Sequence, residues 1–166
     1  MADNIPAAAG PLMLACQKLV DMLAGCASVQ QRFAAADAAA AAARMHFPGL
    51  EEGKLRAAMP AIVIDLWDEF AWKKKAGGGR NYLLPAGELL VVFADTTRIE
   101  DLEPGKRDFS NWVGTALQQL SDVAGVSGNL AIDAISQIVR PSPCSQTEQD
   151  AGGLYFLAAY NVHWGT

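Results

Sequence analysis

Charge is scarce in this chain. Only 19% of its 166 residues are Asp, Glu, Lys or Arg, against 51% that are hydrophobic. Alanine supplies much of the apolar count, yet so little charge still leaves room for surface buried against other subunits. The charge present sums to −5, with a pI near 4.9. That balance excludes a protein that grips nucleic acid through its whole surface, which would be basic, and leaves open a local basic patch. Cysteine is sparse as well. Cys16, Cys26 and Cys144 are odd in number and show no CxxC spacing, which argues against a disulfide framework or a zinc site. The expectation is small thiols in a reducing compartment. The two histidines, His46 and His163, have no Cys, Asp or second His at ligand spacing, and HExxH and GxSxG are absent. No catalytic residue, metal or cofactor is expected, and the chain is not expected to be an enzyme. No stretch of about 18 uncharged apolar residues offers a membrane span. MADNIPAAAG lacks the cationic start and apolar core of a signal peptide, so folding in a cytoplasm is expected.

The length fits one ordinary domain, able to bury a core without metal or disulfide. Residues 1–10 read as a flexible terminus, and residues 11–166 as a single unit. PLMLACQKLVDMLAGC places Leu12, Cys16, Leu19, Val20 and Leu23 at helical spacing. Pro11 suits the first turn and Gly25 the end. Ser28 and Gln31 have capping-box spacing ahead of FAAADAAAAAARM, a second helix by propensity that ends before Pro48. AIVIDLW (61–67) and ELLVVFAD (88–95) read as strands, with residues 73–85 inserted between them as a loop. TTRIEDLEPGKRD reads as a polar connector. FSNWVGTALQQLSDVAG (109–125) is an amphipathic helix with Phe109, Trp112, Val113 and Leu120 on its stripe. Residues 129–139 read as extended, PSPCSQTEQDAGG as a loop, and the final segment from Gly153 as a strand. Runs of strands separated by single helices predict an α+β fold: a mixed or antiparallel sheet with helices packed on one face.

Three stretches invite a chemical reading. KKKAGGGR (73–80) gathers Lys73, Lys74, Lys75 and Arg80 around three glycines. The order is wrong for a phosphate-binding P-loop, and no helix follows; a solvated hairpin loop touching a neighbouring subunit is the better expectation. Asp65, Asp68 and Glu69 do not follow a calcium-loop pattern and read as a solvated strand end. Glu100, Asp101, Glu103, Lys106, Arg107 and Asp108 mix both signs and read as a connector or an intersubunit rim.

The closing GGLYFLAAYNVHWGT alternates with period two but is apolar on both sides. Leu154, Phe156, Ala158, Tyr160, Val162 and Trp164 share one face; Tyr155, Leu157, Ala159, Asn161 and His163 share the other. Two readings fit: both faces are core, with helices above and below the sheet, or one face packs on the helices and the other meets a neighbouring subunit or a covering segment.

The order of parts resembles the tail terminator and tail-completion proteins of long-tailed bacteriophages. The likeness lies in the opening helix, the small-residue segment with HFPG, the proline-led strand MPAIVIDLW, the strand ELLVVFAD, the helix with Asn111-Trp112-Val113, and the ending EQDAGGLYFLAAYNVHWG. The alanine-rich helix and the KKKAGGGR insertion have no counterpart in it. The resemblance implies a hexameric ring that caps the tail tube, with tube protein and head connector as partners and DNA passing through the lumen. It also implies assembly in a host cytoplasm, residence in the virion, no cofactor and no membrane. Tyr155, Tyr160 and Trp164, with Lys73, Lys74, Lys75 and Arg80, are then the expected subunit or tube contacts. The competing readings are another neck protein that joins head to tail, a small enzyme or ligand-binding domain using a cleft beside residues 73–85, and a nucleic-acid module.

Overall fold

Among the described residues the chain forms a mixed sheet with four helices on one face and one short helix on the other. The structure, a computed structural model, describes residues 10–51, 53–77, 80–124, 131–137, 146–150 and 153–165. The expected flexible start, Cys144 and the extension of the fourth long segment to Val139 fall outside these residues. In chain order the elements are α1 (Pro11–Ala24), α2 (Ala27–Arg32), α3 (Ala38–Ala42), β1 (Met45–His46), α4 (Leu55–Ala58), β2 (Ala61–Gly77) and β3 (Arg80–Thr96). A 3-10 turn (Ile99–Asp101), α5 (Leu102–Ala124), β4 (Ala131–Gln137), β5 (Gln146–Asp150) and β6 (Gly153–Gly165) follow.

The sheet runs β1-β2-β3-β6-β4, with β5 also paired to β6. Among the described residues β1 and β2 pair in parallel, and the other pairings are antiparallel. The expected α+β class with a mixed sheet is what the chain adopts. β3 takes one edge of β6 from Tyr155 to Gly165. β5 pairs with β6 from Gly153 to Leu157, and β4 pairs from Tyr160 to Gly165. β6 is therefore paired along both edges, which satisfies its backbone N–H and C=O groups within the sheet.

One face of the sheet carries Ile62, Ile64, Leu89, Val91, Phe93, Phe156, Ala158, Tyr160, Val162 and Trp164, all buried in one core with α1, α2, α3 and α5. Each large side chain there contributes roughly 1.5–3 kcal/mol by leaving water. An aromatic cluster ties the layers together: Phe93 meets Trp112 edge-on at 5.5 Å, and Phe109 stacks on Phe156 at 5.5 Å. α4 lies on the other face, where the Arg56 guanidinium sits 5.2 Å from the Tyr155 ring. The one-sided helix layer expected from sequence thus holds for the four helices of the core and not for α4.

Several local expectations change. The alanine-rich segment is not one helix. α2 ends in a left-handed turn at Ala34 (φ 49°), with Ala35 N–H bonded back to the Gln30 carbonyl at 2.9 Å and Ala34 N–H to the Gln31 carbonyl at 3.1 Å. That is a Schellman stop made without glycine. Asp37 then caps α3 by accepting from the Ala40 N–H at 2.8 Å. The expected capping box does not form: Ser28 sends both its N–H and its hydroxyl to Gln119 Oε1 on α5. α5 starts at Leu102, inside the presumed connector, with Pro104 in the first turn where its missing N–H costs nothing. β5 replaces part of the presumed loop; its polar residues pair with β6 from Gln146 opposite Leu157 to Asp150 opposite Gly153. The presumed 73–85 loop is strand: β2 and β3 continue through it as a hairpin, Lys73 opposite Leu84, Lys75 opposite Tyr82 and Gly77 opposite Arg80.

Among the described residues no helix is long and apolar enough to cross a membrane.

Candidate functional site

The register of β2, β3 and β6 builds the face opposite the core in rows. Ala61, Ala94 and Leu157 form one row; Val63, Val92 and Ala159 the next; Asp65, Leu90 and Asn161 the third; Glu88 and His163 the last. Near α4, Ala61 and Ala94 are fully buried. Away from it, Asp65, Leu90, Val92, Ala159, Asn161 and His163 are half-buried. This part of the sheet is apolar at its centre and acidic at its end.

Glu88 and His163 pair across the ladder, Oε1 to Nδ1 at 2.9 Å, with Asn161 Nδ2 donating to Glu88 Oε2 at 3.4 Å. Asn161 Oδ1 is buried without a hydrogen-bond partner. An orphaned buried acceptor costs on the order of 1–3 kcal/mol. Asp65 lies beside the turn at Gly49, where φ is +70° and an added Cβ would stand 2.9 Å from the carboxylate. Together with Phe47, Pro48, Leu50, Glu51 and Lys54 it lines an open cleft of about 510 Å³.

The expected contact residues divide. Tyr160 and Trp164 are 6% and 1% exposed and lie in the core under the helices. A monomer with that core intact cannot present them to a neighbour, so the contact expected of these two is corrected. Tyr155 is on the opposite face, half-buried beneath Arg56. Lys73, Lys74, Lys75 and Arg80 lie in the distal part of the β2–β3 hairpin. β6 pairs with β3 only as far as Ala86. Residues 80–85 and their β2 partners therefore continue past the body of the sheet as a two-stranded ribbon, six residues or roughly 20 Å at strand spacing. A bulge between Leu66 and Phe70 marks its base. Asp68 and Glu69 fall within that bulge.

A second cleft, about 400 Å³, runs between α2 and α5 along Ser28, Gln31, Arg32, Asp108, Asn111, Trp112 and Thr115. Its charges are mutually engaged. Arg32 Nε donates to Asp95 Oδ2 at 2.6 Å, Arg32 Nη1 to Asp108 Oδ2 at 2.5 Å, and the guanidinium lies 5.3 Å from the Trp112 ring centre. Burial works against the Arg32 charge, but the bonds to Asp108 and Asp95 outweigh it and hold the pKa above its usual value. Asp108 belongs to the stretch expected to be a solvated connector or an intersubunit rim; its side chain is 65% exposed and also accepts from Arg32. Burial pushes the Cys16 thiol up to about 12 and Cys26 to about 11, which leaves both without thiolate at neutral pH. Burial also lowers the pKa of His46. Among the described residues no group of three His, Cys, Asp or Glu stands together as a metal site.

Sequence reasoning missed the Glu88–His163–Asn161 cluster and the Arg32–Asp95–Asp108 hub. The alternation of β6 held the signal for the first. The second joins residues 63 and 76 positions apart, so local pattern carries no trace of it.

No protein-family model matches the chain, and no curated protein matches it.

Proposed function

We propose that the chain is a virion structural protein, a ring-forming subunit that caps the tail tube of a long-tailed bacteriophage and joins it to the head connector. In this reading the protein assembles in the host cytoplasm and ends in the neck of the virion. Its partners are copies of itself, the tube protein and the connector, and DNA passes through the lumen. Function then lives in contacts rather than in a reacting site.

The observation that carries the reading is the division of labour across β6. One face of the sheet is consumed by the subunit's own core, while the other keeps a half-buried apolar strip, Leu90, Val92 and Ala159, beside a ribbon that runs past the sheet. A closed ring needs two different patches on each subunit that fit one another. The low charge content, 19% of residues, agrees with surface buried between subunits.

The test is the mass in solution by light scattering over a range of concentrations, with electron microscopy of the same sample. The subunit is 17.6 kDa. The expected result is a particle six times that mass whose end-on views show a ring with a central hole. A monomer or compact dimer at every concentration overturns the reading.

A further inference from the structure

We draw no further inference here: the strongest candidate, the cleft of about 400 Å³ between α2 and α5 walled by Gln31, Arg32, Asp108 and Trp112, carries nothing, because its guanidinium and carboxylate are engaged with one another, the Trp112 Nε1 that lacks a hydrogen-bond partner is closed to solvent, and nothing in the structure shows what would enter it.

Discussion

Arg32, the last residue of α2, donates to Asp95 near the end of β3 at 2.6 Å, and so fastens the helical layer to the sheet. The same guanidinium reaches Asp108 on α5 and lies over Trp112. Three elements far apart in sequence thus share one cation.

The two carboxylates differ in how much they matter. The Asp95 side chain is 9% exposed, Asp108 is 65% exposed and Arg32 is 25% exposed. Asp95→Ala strands a partly buried guanidinium and should cost about 2–3 kcal/mol, below the range for a fully buried pair because Arg32 keeps some water. Asp108→Ala should cost less than about 1 kcal/mol. Urea unfolding of the two variants checks the ratio; equal effects would mean that the pair to Asp95 is not the fastening one.

Trp164 and Tyr155 are set against one another by the strand's pleat. Trp164→Ala removes a fully buried indole and should cost about 3–5 kcal/mol. Tyr155→Ala, on the half-buried face, should cost about 1 kcal/mol through its contact with Arg56. Thermal unfolding distinguishes them, and a Trp164→Ala protein as stable as the parent would refute its place in the core.

Alkylation reads the buried thiols. With iodoacetamide at pH 8, Cys16 and Cys26, held at about 12 and about 11 by burial, should stay unmodified in the folded protein and react fully in denaturant. Peptide mass spectrometry gives the answer site by site, and rapid labelling of Cys16 under native conditions would contradict its burial.

His46 should make the fold sensitive to mild acid. Burial lowers its pKa in the folded chain, so the unfolded chain takes up the proton first and acid favours unfolding. The stabilisation from neutral His46 is present above the ordinary histidine pKa of about 6.5 and is lost as pH falls toward and through the lowered folded value. His46→Gln should flatten the stability profile between pH 7 and 5. A profile unchanged by the substitution would assign that acid sensitivity to other groups.

Much of the fold was legible where local pattern and tertiary demand agree. α1 carries its apolar residues at helical spacing behind Pro11, and α5 shows the stripe Phe109, Trp112, Val113 and Leu120. β6 alternates so regularly that its two faces could be listed from the sequence. Where the chain relied on partners, the pattern was silent. β5 is polar and is a strand only because the edge of β6 offers it backbone bonds. The ribbon looked like a loop because lysine and glycine are poor strand formers, yet each of its arms is paired along its length by the other. α2 and α3 separate at Ala34, a stop closed by backbone bonds that no glycine announced.

By itself the sequence determined the α+β class, the two-faced last strand and the concentration of positive charge in residues 73–80. These follow from periodicity and composition, which act over a few residues. Only the tertiary structure decided which face of β6 is core, and so removed Tyr160 and Trp164 from the surface while leaving Tyr155 upon it. The pleat separates the faces, but burial is granted by the helices that land on one of them. That choice depends on contacts such as Arg32 with Asp95, 63 residues apart, which no local pattern encodes.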